Sequence, residues 1–136
     1  LNIPEEVLGS LEQQKLTGPV AVIGAAPLVE ELYAACLTDL TAPVVFLPED
    51  RRQILNRTLE AFNQGILDET RQAEFGDFLR YFGRTSACTH LISACTELTT
   101  MLKKIDYLPF KVIDPMQIAA EQICLYCREW GENQGS

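Results

Sequence analysis

Apolar positions along the chain alternate between helical spacing and short continuous runs. From Ile3 to Lys15, the residues Ile3, Val7, Leu8 and Leu11 share one face behind Pro4, opposite a Glu/Gln-rich face, which predicts an amphipathic leading helix. Gly18-Pro19 break it, and Val20-Ala21-Val22-Ile23 has the form of a strand buried on both faces. Gly24-Ala25-Ala26-Pro27 turns into a predicted helix from Leu28 to about Leu40. A second buried strand is predicted at Pro43 to Leu47, closed by Pro48, and Glu49-Asp50 open a helix through Ile54, Leu55, Leu59 and Phe62 to a stop at Gly65. Asp68 caps another helix, with Phe75, Phe78, Leu79 and Phe82 on one side. The third predicted strand is Thr89 to Ser93, followed by a helix to about Lys104. A fourth strand follows at Phe110 to Ile113, and a last helix opens at Pro115 and runs from Met116 to Trp130.

Strands separated by helices imply right-handed βαβ crossovers, and so an α/β three-layer sandwich with a four-stranded parallel sheet. The expected organisation is a leading helix over residues 1–17, one α/β lobe over 18–130 that includes the C-terminal helix 115–130, and a frayed tail at 131–136. A length of 136 residues suits a single core.

Charge narrows the partners. Nineteen acidic against eleven basic residues give a formal net charge of −8, which repels a phosphate backbone. The basic pairs Arg51-Arg52 and Lys103-Lys104 are too short to override that field, so no nucleic acid is expected. No apolar run nears the roughly 20 residues that span a bilayer, and no signal-peptide order is present, so no membrane partner is expected. The five cysteines, odd in number and set in apolar segments, suit a reducing cytoplasmic setting better than a disulfide framework. The chain opens on Leu1 rather than methionine, and we expect a further segment ahead of it.

The candidate chemistry centres on Leu91-Ile92-Ser93-Ala94-Cys95-Thr96-Glu97-Leu98. Cys95 falls where a strand becomes a helix, the place where open α/β sheets hold ligands and where a helix N-terminus favours thiolate. The same position also suits a small buried hydrophobe. Cys124-x-x-Cys127 has the spacing of zinc and redox centres but falls late in a helix with no second such pair. A zinc site completed by Cys88 and His90 competes with an apolar helix face holding Ile123 and Leu125, and we expect no metal site. His90, the one histidine, reads as a satisfied structural group. Glu5-Glu6 and Glu30-Glu31 read as solvated faces. No glycine-rich phosphate loop is present, and no cofactor is expected.

Ala-Cys-Thr-Glu-Leu after an apolar strand, followed by Phe110-Lys111-Val112-Ile113-Asp114-Pro115-Met116 and a helix, resembles the second half of the aspartate/glutamate racemase superfamily, nearest its aspartate racemase branch. The resemblance reaches back through Val20 to Ile23 and the helix ending near Tyr33, and through Asn56 to Gly65. It implies one lobe of a two-lobed racemase fold acting without a cofactor. One thiolate removes the α-proton of a small acidic amino acid, while a second thiol on the other lobe returns one. Cys95 matches the second-lobe catalytic cysteine. Thr96 matches the neighbour whose amide and hydroxyl hold the substrate carboxylate, Glu97 a supporting hydrogen-bonding group, and Ala25 and Ala26 the substrate-holding turn after the first strand.

Three departures accompany it. The first-lobe Pro-Cys-Asn-Thr-type turn is absent, and neither Cys36 nor Cys88 stands where it could replace it, so this chain alone lacks one of the two bases. A Thr-Gly-Thr-type turn is replaced by Ala25-Ala26-Pro27, which has no hydroxyls and one fewer amide proton. Glu30-Glu31 bring carboxylates near the mouth, and Ala94 stands where the family has glycine. The resemblance therefore implies either an incomplete racemase lobe or an inactive one serving self-association or partner binding. In either case a missing first lobe or a second copy would pack against the cleft side. Ile3/Val7/Leu11 and Ile118/Ile123 on the terminal helices are expected to be exposed in an unpartnered lobe.

Overall fold

A computed structural model describes residues 2–134. Its elements run α1 (Ile3–Glu12), β1 (Val20–Ile23), α2 (Pro27–Cys36) with a 3-10 turn at Leu37–Asp39, β2 (Val44–Phe46), α3 (Glu49–Asn63), α4 (Glu69–Ser86), β3 (His90–Ser93), α5 (Thr96–Leu102), β4 (Lys111–Ile113) and α6 (Pro115–Gln134). The four strands form one parallel sheet in the order β2-β1-β3-β4.

Local chemistry sets the boundaries. The Asn2 side chain accepts from the Glu5 amide at 3.1 Å and the Asp68 carboxylate from the Arg71 amide at 2.8 Å, each satisfying a donor that its helix leaves free. α3 ends where Gly65 takes a φ of 72°, letting Ile66 N–H reach the Ala61 carbonyl at 3.0 Å. The predicted helix to Leu40 closes instead at Cys36, tightening into the 3-10 turn. In the expected tail, the helix continues four residues past Trp130 to Gln134, whereas residues 135 and 136 lie outside the described residues.

Alternation along the strands divides the core in two. Ala21, Ile23 and Leu91 face α3, α4 and α5, packing on Leu55, Leu59, Phe75, Leu79, Leu98 and Met101. Val20, Val22, Ile92 and Ile113 face the other way, onto Val7, Leu11, Tyr33 and Leu37 of α1, α2 and the turn after it. The result is helix layer, sheet, helix layer, the three-layer sandwich the periodicity implies. Val7 and Leu11 are fully buried, which corrects the expectation of an exposed leading helix, because α1 lies against α6.

β2 is likewise not the buried strand expected. It is a sheet edge with Val44 and Val45 half-buried and Phe46 exposed, since only β1 pairs with it. Both outer strands are three residues long, β2 between Pro43 and Pro48 and β4 between Pro109 and Pro115. α6 behaves differently along its length. Ala119 is buried, yet every residue from Ala120 to Glu132 is exposed, including Ile123, Leu125, Tyr126 and Trp130.

Candidate active site

The strand order makes β1 and β3 neighbours although β2 lies between them in the chain, so their carboxyl ends flank a topological switch point, where sheets of this class open a crevice. Ala94 N–H donates to the Ile23 carbonyl at 2.9 Å, extending the pairing one step and bringing the turn after β1 beside Cys95. Ala94 carries its methyl group without a left-handed backbone, since Ala87 is the one non-glycine residue of positive φ among those described.

Cys95 is the N-cap of α5, half-buried, and lines two hollows. The larger, about 450 Å³, has a polar wall of Thr96, Thr99, Thr100 and Lys103. Facing it is an apolar wall that includes Val29, Leu32 and Met116. The second, about 400 Å³, is lined by Ala25, Asn56, Leu59, Glu60, Asn63, Gln64 and Glu97 as well as Cys95. The structure thus brings together Cys95, Thr96, Glu97 and Ala25, with Thr96 on one side of the sulfur and Ala25 and Glu97 on the other. Ala26 lines neither hollow and serves as the exposed N-cap position of α2.

Below the sulfur the backbone is fixed by hydroxyls. Thr99 Oγ1 donates to the Cys95 carbonyl at 3.1 Å and lies 2.7 Å from Ser93 Oγ, both side chains being buried. Above it, the Cys95 thiol donates to Glu97 Oε2 at 3.0 Å, and the Thr96 hydroxyl donates to the same oxygen at 3.1 Å.

The expectation of a thiolate is corrected by this arrangement. Burial raises the Cys95 pKa, and the bond to the Glu97 carboxylate and its charge raise it further. These outweigh the backbone N–H groups of Leu98 and Glu97, which pull it down. Glu97 itself is held below the usual carboxylate range, chiefly by the thiol's hydrogen bond. The thiol is therefore held toward its protonated form and the carboxylate toward its ionised form.

Glu30 is not on a solvated face. It is 4% exposed, accepts from Gly24 N–H at 3.3 Å through Oε1, and pairs through Oε2 with Arg52, which is 8% exposed. Glu31 alone is exposed. The Glu30 carboxylate is therefore neutralised beneath the turn after β1 rather than presented to a ligand, and the hydrogen bond from Arg52 raises the guanidinium pKa further. Arg52 Nε also lies 3.4 Å from Glu49 within α3, and the Glu30–Arg52 pair ties the first turns of α2 and α3 together.

His90 lies at the opposite end of β3 from Cys95, within 2.9 Å of both Gln14 Oε1 and Thr89 Oγ1; burial lowers its pKa, Lys111 adding to the effect. Sequence reasoning did not single out Thr99, Thr100, Lys103, Asp114 or Tyr33 as cleft residues. Tyr33, whose pKa burial pushes up to about 12, lay hidden in an ordinary apolar helix pattern. The face Thr96, Thr99, Thr100 and Lys103, at i, i+3, i+4 and i+7, was the available signal for the rest of the polar wall.

No protein-family description and no curated protein matches the chain. Solved structures do. A Yersinia pestis protein that carries an Asp/Glu racemase assignment superposes with a TM-score of 0.76 at 22% identity, over 93% of this chain and 55% of that one. An aspartate racemase homologue from Pyrococcus horikoshii OT3 gives a TM-score of 0.76 at 19% identity with the same coverage. The chain has the α/β fold of a racemase-type lobe and spans about half the length of these structures. Among the described residues, no helix is long and apolar enough to cross a membrane.

Proposed function

We propose that this chain is the second lobe of a cofactor-independent amino-acid racemase of the aspartate type, in which Cys95 is one of two acid/base thiols. The observation that carries this reading is the Cys95 thiol, set at the switch point between two open hollows and hydrogen-bonded to a carboxylate. A protonated resting thiol suits the half of the reaction in which Cys95 delivers a proton to the substrate α-carbon. The opposing base, supplied by a first lobe or another chain, removes the proton from the other face. Having given up its proton, Cys95 is the base for the reverse direction. Glu97 holds the thiol in place, Thr96 contributes to carboxylate binding, and Ala25 and Ala26 stand at the substrate turn. The substrate class is a small acidic amino acid; among the described residues Lys103 is the one cation lining the larger hollow, which Asp114 also lines. Free thiols throughout fit a cytoplasmic setting.

Exchange of substrate α-protons in deuterated water, followed for the full-length protein, tests this. Cys95→Ser is expected to abolish interconversion of the enantiomers and exchange on the face Cys95 serves, and an unchanged rate removes the assignment.

A second reading rests on Ala25-Ala26-Pro27, whose exposed turn offers no hydroxyl, and on the exposed apolar end of α6. In it the lobe is inactive and serves association. Absence of exchange together with dimers in sedimentation at low concentration would favour it over the first, whereas a dilute monomer would count against it.

A further inference from the structure

We propose that Cys124 and Cys127 form an exposed dithiol site that holds a thiophilic ion of the trivalent-arsenic or copper(I) kind through its two sulfurs. Both thiols are free and exposed on the part of α6 that projects from the lobe. The other three cysteines belong elsewhere: Cys36 ends α2, Cys88 is buried ahead of β3, and Cys95 caps α5.

Separations decide what the pair can do. Helical residues three apart have Cβ atoms about 5–6 Å from each other. A disulfide needs about 3.5–4.5 Å, so oxidation would have to deform the helix. An ion bonded to each sulfur at about 2.3 Å bridges sulfurs up to about 4.6 Å apart when the three atoms are in line, a wider span than a disulfide allows. The ligand count points the same way. Among the described residues, no third His, Cys, Asp or Glu converges there, so a four-coordinate zinc ion lacks partners while a soft ion content with two thiolates does not.

At about 100° per residue, Ile123, Tyr126 and Trp130 fall within roughly 60° of one another. Cys124 lies about 100° or more from all three, whereas Cys127 lies about 40° from Ile123, at the edge of the apolar stripe.

The binding step involves no oxidation. An arsenical R–As=O forms two As–S bonds as its As–O bonds break, and the two thiol protons leave with the oxygen as water. Copper(I) instead displaces the two thiol protons directly.

The probe is p-aminophenylarsenoxide, added to the full chain. Intact mass should show one arsenical retained with two thiols lost to titration, and Trp130, the sole tryptophan and one turn beyond Cys127, should change in fluorescence. Cys124→Ser and Cys127→Ser should each weaken retention on the order of 100-fold, the advantage of linking two attachments. Cys36→Ser and Cys95→Ser should leave it unchanged. Retention that survives either helix substitution, no retention at all, or ready closure of a Cys124–Cys127 disulfide in the folded protein would each overturn the proposal.

Discussion

A thiol bonded to a carboxylate is a different reagent from a thiol alone at a helix start, and at Cys95 the neighbour two residues on outweighs the helix. Replacing Glu97 by glutamine removes a negative charge and keeps the side-chain volume. The Cys95 pKa, raised in the folded protein, should then fall, so the pH profile of its alkylation by iodoacetamide shifts to lower pH and the rate at neutral pH rises several-fold. A profile that shifts to higher pH would mean that Glu97 stabilises thiolate instead. At this scale the sequence brought the candidate residues into view but not the hydrogen bond between them. Cys95, Thr96 and Glu97 are adjacent in the chain and so were found together. Glu30 and Arg52 are 22 residues apart and meet only because α2 and α3 start side by side, so a buried ion pair passed for two surface charges.

Elements were legible wherever one period dominated. Four apolar runs became four parallel strands, and each predicted helix has its counterpart, because periodicity is set by which face must leave water. Position within the sheet was not legible: Val44-Val45-Phe46 reads as a central strand, yet order depends on crossovers that a run of residues does not encode. Close approach between elements is also invisible in the sequence, and two glycines illustrate it. A Cβ at Gly83 in α4 would lie 2.6 Å from Pro109 Cγ and 2.8 Å from Phe110 Cδ1, forcing α4 away from the approach to β4. Gly83→Ala should therefore destabilise by about 1–3 kcal/mol. Gly9 in α1 has open space at the same point, and Gly9→Ala should stabilise by up to about 1 kcal/mol. Urea unfolding of both variants checks the pair, and equal effects of one sign would refute the packing account.

The molecule as a whole is a closed sandwich with one overhanging helix. Residues 120–132 are all exposed and add little burial to the lobe, so truncation after Ala120 should cost about 1 kcal/mol or less, or under about 5 °C in thermal midpoint for a domain of this size. If the apolar end of α6 drives association, the same truncation should leave a monomer at all concentrations in sedimentation. A large thermal loss would instead mean that the overhang folds back on the lobe. The margins of the sheet complete this picture. Proline nitrogens have no hydrogen to offer, and each rim strand begins and ends within two residues of one, so a fifth strand from another molecule would find a short run to zip against and a missing donor on either side. Fibril-like growth and β-augmentation are thereby discouraged at both rims, which leaves helix faces and the crevice mouth as the surfaces through which this lobe can meet a companion.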